Sequence, residues 1–154
     1  MAYSFWVNPI AGNGVAKQKW QKLQSYLNEQ SIAYRVFYSD GPGAIENQLF
    51  QSTHNQAPVI IIGGDGTLHE ALNGLLKNKA LNQTRPIAYI SAGSGNDFAR
   101  SHQLSDNPIQ AFKRINHQIE QNNVTLLDIG KCFDEQTGEV SYFVNNLGIG
   151  IDAT

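Results

Sequence analysis

The chain carries one cysteine, Cys132, so neither an internal disulfide framework nor a cysteine-rich zinc site is open to it. No apolar run approaches the length of a membrane-crossing helix, and the start Met1-Ala2-Tyr3-Ser4 has no basic region ahead of an apolar one. The reading is cytoplasmic, with any membrane contact peripheral. Charge is also sparse: Asp, Glu, Lys and Arg make up 16% of the chain, against roughly 25% in typical domains. The net charge is −2 and the pI about 6.0, with lysine and arginine scattered instead of gathered in a stripe, which excludes nucleic acid as the expected partner. No internal repeat or low-complexity tract is present. What remains is a chain of 154 residues, 41% hydrophobic, enough for the core of one ordinary domain.

The strongest signal is Val59-Ile60-Ile61-Ile62-Gly63-Gly64-Asp65-Gly66-Thr67. Four β-branched residues after Pro58 predict a central strand covered on both faces, the pattern of a parallel sheet. A helix follows at once, with Leu68, Ala71, Leu72, Leu75 and Leu76 on one face and Thr67 and Glu70 at capping-box spacing. The glycine turn therefore lies at a helix N-terminus, where unpaired amides and the helix dipole suit a phosphate. Asp65 would repel that phosphate unless a cation or a transferable proton stands between them, so it is read as working with Mg²⁺ or a hydroxyl. Alone, the same letters also describe a plain βα turn.

The pattern recurs along the chain. Tyr3–Val7 is a strand run ending in Asn8-Pro9-Ile10-Ala11-Gly12-Asn13-Gly14, followed by a helix with Ala16, Trp20, Leu23 and Leu27 on one face. Tyr34–Tyr38 predicts a strand, Ser39 to Gly43 a turn, and the residues through Ile45, Leu49 and Phe50 a shorter helix. Asn82 to Arg85 reads as a loop and Ile87 to Ile90 as a fourth strand, running into Ser91-Ala92-Gly93-Ser94-Gly95-Asn96-Asp97. Alternating strands and helices imply right-handed βαβ crossovers, so three glycine-rich loops share one carboxyl edge, where nucleotide sites form. Strand order does not follow from the sequence.

Beyond this, Pro108 to His117 predicts a helix with Ile109, Phe112 and Ile115 inward and Lys113 and Arg114 outward. Val124 to Phe133 and Val140 to Leu147 predict two long strands joined across 134–139, a hairpin and not a βα unit. The expected division is an α/β nucleotide-binding domain over 1–122 and, over 123–154, the truncated start of a β-rich second domain. An open hairpin edge from Val124 to Ile151 implies self-association, and hence a homodimer, in such a truncated form.

Several chemistries are excluded by particular residues. The loop at 63–67 lacks the lysine of a P-loop, and the third glycine of the dinucleotide fingerprint is missing. Ser94 has Ala92 and Asn96 where a nucleophile elbow needs glycines. His54, His69, His102 and His117 show no ligand spacing.

It is the combination of motifs that resembles a known family. Gly63-Gly64-Asp65-Gly66-Thr67 matches a signature shared by NAD kinases, sphingosine kinases and diacylglycerol kinases. Gly93-Ser94-Gly95-Asn96-Asp97-Phe98-Ala99-Arg100 resembles the Gly-Thr-x-Asn-Asp-Phe-Ala-Arg motif of the diacylglycerol kinase catalytic domain, and bacterial lipid kinases are the nearest likeness. Asn8-Pro9 with Gly12 and Gly14 is similar to that family's first nucleotide loop, and Leu127-Asp128-Ile129-Gly130 with Asn145 to Ala153 to its entry into the second domain.

The resemblance implies a Rossmann-like parallel sheet with flanking helices. It also implies ATP bound at Asn8, Pro9, Gly12, Ser39, Gly63, Gly64, Gly66, Thr67, Ser94, Gly95 and Asn96, with Asp65 catalytic. Asp65, Asp97 and Asp128 would belong to a water-mediated Mg²⁺ network. Ser39 and Ser94 stand where the family more often has threonine, His69 where many relatives have asparagine, and Ser91 where many have proline. The implied activity is transfer of the γ-phosphate of ATP to diacylglycerol or a related lipid at the membrane surface. The general base is expected beyond Thr154, so the fragment alone is expected to be inactive. An NAD kinase-like phosphotransferase and a nucleotide-sensing module without transfer are the alternatives.

Overall fold

The computed structural model describes residues 3–52, 58–78, 86–93, 97–123 and 128–144. Four parallel strands form the central sheet: β1 (Tyr3–Val7), β2 (Tyr34–Tyr38), β3 (Val59–Gly63) and β4 (Ile87–Ser91), in the order β2-β1-β3-β4. The predicted central strand is interior, pairing with β1 on one side and β4 on the other, and all five of its residues are buried. That is why its sequence shows no alternation: both faces are covered.

Successive side chains of β1 serve the two faces in turn. Phe5 and Val7 join Ile60, Ile62 and Ile90 in one core with α1 (Val15–Glu29) and α5 (Pro108–Glu120), while Trp6 joins Val59, Ile61 and Tyr89 in the other. The second core is closed by α2 (Ala44–Phe50) and α3 (Asp65–Lys77). The α1 face is as predicted, with Ala16, Trp20, Leu23 and Leu27 buried. A short helix, α4 (Asp97–Ser101), precedes α5.

The short helix through Ile45, Leu49 and Phe50 is present as α2, with Ile45 and Leu49 buried and Phe50 49% exposed. Three expectations, on α3, α5 and the capping box, need correction. Leu76 is half-buried, and the buried face of α3 instead includes Asn73 and Gly74. In α5, Phe112 is buried while Ile109 and Ile115 are half-buried, and the helix runs past His117 to Glu120. The capping box at Thr67 and Glu70 does not form. The helix starts three residues earlier than such a cap implies, at Asp65, with Gly64 as an N-cap that has no side chain to offer.

The hairpin is present as β5 (Gly130–Phe133) and β6 (Val140–Phe143), antiparallel around the predicted 134–139 turn. Asp134 Oδ1 accepts from the amides of Gln136 and Thr137, and Gly138 supplies the left-handed residue at φ +75°. The strands are shorter than predicted: Asp128 and Ile129 are not in β5, and Val124 to Leu127 and Asn145 to Thr154 lie outside the described residues. The hairpin rests on α3 and Val144 packs against the second core. No helix among the described residues is long and apolar enough to cross a membrane.

Candidate functional site

The strand order places the site. From β1 the chain steps outward to β2, and from β3 it steps the other way to β4, so the reversal falls between β1 and β3. In an open α/β sheet, the crevice beyond that reversal is where ligands bind. The two loops that flank it are Asn8 to Gly14 and Gly63 to Thr67. They are tied across the crevice: the Asn8 amide nitrogen donates to Ile62 O at 2.9 Å, and Asn8 Nδ2 donates to Thr67 Oγ1 at 3.3 Å.

Glycines set how closely the loops approach. A side chain at Gly12 would overlap the carbonyl oxygen of Ala92, and one at Gly64 would meet the α-carbon of Gly93 at 3.1 Å. Gly63 is covered by Thr67, whose hydroxyl and methyl occupy the space of a β-carbon. Loops after β1, β3 and β4 thus touch, backbone to backbone, at one edge. The helices leaving that edge share a feature: α1, α2 and α3 begin after Gly14, Gly43 and Gly64, and none has a side-chain cap. Helix α5 starts elsewhere and is capped by Asn107, which accepts from Ile109 N and Gln110 N. An uncapped first turn leaves backbone donors for something other than the chain's own side chains.

The structure gives each expected residue a distinct setting. Asp65 is the first residue of α3, half-buried, at the positive end of the helix dipole. Gly66 beside it is exposed and Thr67 is buried, 3% accessible, pinning the crevice by its side chain. Pro9 and Gly12 are half-buried in the first loop. Ser39 lies next to that loop, with its amide donating to Val7 O at 2.8 Å and its hydroxyl to Gly41 O at 3.0 Å, so the hydroxyl is engaged in its own turn. Asp128 is exposed at the foot of the hairpin. Ser94, Gly95, Asn96 and the side chain of Asp97 lie outside the described residues.

Two residues at this edge carry no motif and escape sequence reasoning. Tyr89, 6% exposed on β4, donates its hydroxyl to Gly63 O at 3.1 Å and lies 3.4 Å from Asp65 Oδ1. Burial, and then the charge of Asp65, push its pKa far above the ordinary phenol range, so it stays a donor at neutral pH. Lys19 on α1 donates to Ser91 O at 2.7 Å and to Asp106 Oδ1 at 2.8 Å, fastening the end of β4 to both. Tyr89 reads in sequence as a strand core residue and Lys19 as helix surface; only the alternation of β4 hints that Tyr89 faces α3.

Among the described residues no three His, Cys, Asp or Glu side chains group as a metal site. Mg²⁺ beside a nucleotide does not need such a cage, since it is held by one or two carboxylates, phosphate oxygens and water. The single carboxylate of Asp65 at the helix terminus fits that requirement.

The diacylglycerol kinase catalytic domain pattern matches residues 3–131. A Bacillus subtilis (strain 168) protein named "Putative lipid kinase YtlR" is 30% identical over 97% of this chain and 48% of its own length. Sphingosine kinase B of Dictyostelium discoideum is 30% identical over 71% of this chain and 15% of its own. A solved diacylglycerol kinase structure from Bacillus anthracis (strain Sterne) aligns with a TM-score of 0.58 at 26% identity, over 76% of this chain and 43% of that one. The chain therefore spans half or less of the length of these relatives. With the signature loops assembled at the switch point of the expected sheet, the chain belongs to the diacylglycerol kinase catalytic domain family.

Proposed function

We propose that the chain is the ATP-binding part of a lipid kinase, which transfers the γ-phosphate of ATP to the hydroxyl of diacylglycerol or a related lipid alcohol. The observation that carries this reading is the hydrogen-bonded meeting of the Asn8 and Asp65 loops across the β1/β3 reversal, each with a glycine against the backbone of the loop after β4, and with one carboxylate at an uncapped helix start. The phosphates would lie along the amides of Gly64, Gly66 and Thr67 and the loop at Asn8, Pro9 and Gly12. Ser39, Gly63, Ser94, Gly95 and Asn96 complete the proposed contacts.

Asp65 would hold Mg²⁺, with Asp97 and Asp128 acting through water; the cation supplies charge neutralisation on the transferring group. Tyr89 keeps the carboxylate aimed, and the dipole of α3 adds favourable field at the phosphates. The base for the acceptor alcohol would come from the β-rich second domain that residues 123–154 begin, so this chain alone binds nucleotide and turns over poorly. The complete protein would work at the membrane surface as a peripheral enzyme.

The test is γ-phosphate transfer from Mg-ATP by the complete protein, offered diacylglycerol, a sphingoid base and NAD side by side. Transfer to diacylglycerol supports the reading. Likeness to sphingosine kinase B makes the sphingoid base a real competitor, and phosphorylation of NAD alone would replace the reading by an NAD kinase. Nucleotide binding without any transfer would make the protein a sensor. In an active enzyme Asp65→Asn should lower kcat by about a hundredfold or more, and near-normal turnover would remove Asp65 from its role.

A further inference from the structure

Asn73 lies two turns beyond Asp65 on α3, off the apolar face that the sequence pattern marks, yet it is only 2% exposed. Both amide hydrogens and the oxygen of its carboxamide are engaged. Oδ1 accepts from the amide of Tyr142 at 2.8 Å, and Nδ2 donates to Tyr142 O at 2.9 Å and to His69 O at 2.8 Å. A side-chain amide has the donor and acceptor of a peptide unit. Asn73 therefore gives Tyr142 the same two-bond exchange that a facing residue gives in a hydrogen-bonded antiparallel pair. At that residue it stands where a third strand would otherwise pair with β6, leaving β5 as the exposed strand of the hairpin.

The helix that carries this clamp is itself held firmly. Gly74, the next residue, lets α3 approach α2 so closely that a β-carbon there would lie 2.5 Å from Glu46 O. Between Asp65 and Asn73 the helix spans about 12 Å of rigid backbone. The carboxylate at one end and the hairpin at the other are thus parts of one body.

We propose that Asn73 is a positioning residue, clamping the hairpin and whatever β structure continues from it in register with the Asp65 loop, so that the acceptor side of the cleft is aligned with the phosphate. The catalytic half of this proposal rests on the lipid kinase reading; the clamp itself does not.

The test uses the complete protein with Asn73→Ala, and with Asn73→Ser as the milder change, since a hydroxyl keeps a donor and an acceptor but on one atom and a shorter side chain, and so cannot reproduce the two parallel bonds to Tyr142. Amide hydrogen exchange reads the clamp: Tyr142 should lose protection in both variants, more in Asn73→Ala. Turnover reads the alignment: kcat should fall by about a hundredfold in Asn73→Ala, as for a misplaced acceptor, with nucleotide affinity unchanged. A merely structural role would lower kcat and nucleotide affinity together, and that result overturns the proposal, as does unchanged exchange at Tyr142. If the parent protein transfers no phosphate to any lipid, the lipid kinase reading fails while the exchange result still decides the clamp. If Asn73→Ala does not fold, Asn73→Ser carries both readouts, and unaltered kcat in that variant despite lost protection at Tyr142 overturns the alignment.

Discussion

Gly12 stands against the carbonyl oxygen of Ala92, closer than any side chain would permit, with its own backbone at φ +62°. The two conditions are independent, and Gly14 separates them: it has φ +93° but open space where a β-carbon would go. Strain at a left-handed position costs of the order of 1–3 kcal/mol. Gly12→Ala should therefore destabilise more than Gly14→Ala in urea unfolding, and only Gly12→Ala should also weaken nucleotide binding, by forcing the first and third loops apart. Equal costs would mean the Ala92 contact gives way freely.

Gly74→Ala offers a test of sign. Inside an exposed helix, replacing glycine by alanine gains about 0.5–1 kcal/mol. Here the new methyl would meet Glu46 O at 2.5 Å and the β-carbon of Leu49 at 3.0 Å. Overpacking of that kind costs typically about 1–3 kcal/mol, so the variant should melt earlier than the parent. A gain in stability would show that α2 can move aside.

Lys19 and Asp106 are a salt bridge whose halves should not be equal. Lys19 is 13% exposed and also holds Ser91 O, while Asp106 is 91% exposed. Lys19→Met should cost about 1–3 kcal/mol, because it removes charged hydrogen bonds at a buried carbonyl. Asp106→Asn should cost at most about 1 kcal/mol, as for other exposed pairs. The Lys19 hydrogen bond, and then its charge, hold the Asp106 carboxyl below its ordinary value of 3.8. The small contribution is present above that value and lost as pH falls through the lowered one, so Asp106→Asn should be slightly less acid-sensitive in unfolding titrations.

Tyr89 supplies an alkaline counterpart. Its pKa is raised in the fold, by burial first and the Asp65 charge second, from an ordinary value of 10.0. Its stabilising contribution is complete below 10.0 and is lost as pH rises above it, because the unfolded chain releases that proton first. Tyr89→Phe should flatten the loss of stability on the alkaline side. At neutral pH it should cost about 0.5–1.5 kcal/mol for the hydrogen bond to Gly63 O. In an active enzyme it should also lower kcat through a less constrained Asp65.

Much of this protein is legible in its amino-acid order. The run from Val59 to Ile62 declares a buried parallel strand because both its faces are apolar, and Ala16, Trp20, Leu23 and Leu27 declare a helix face because burial repeats with the turn of the helix. The turn at 134–139 is visible through Asp134 and Gly138, and the Gly63–Thr67 loop through its composition. Leu76 misleads because periodicity marks the apolar face of a helix without telling how far the neighbouring elements cover it. Thr67 passes for a cap because a glycine N-cap leaves no side-chain signal, so the first hydroxyl in the run is taken for one.

Local periodicity and the fixed hand of βαβ units specify which segments are strands and helices, and that glycine loops share an edge. They do not specify the order β2-β1-β3-β4, and so cannot say that the loops of Asn8 and Asp65 flank the reversal. Nor can they pair Tyr89 with Asp65, Lys19 with Ser91, or Asn73 with Tyr142, 69 residues away. Those hydrogen bonds are settled by the packed fold, because they join atoms whose neighbourhood exists only after the sheet has closed its two cores. A local sequence pattern records which face of an element is buried, not which distant polar group will be waiting there.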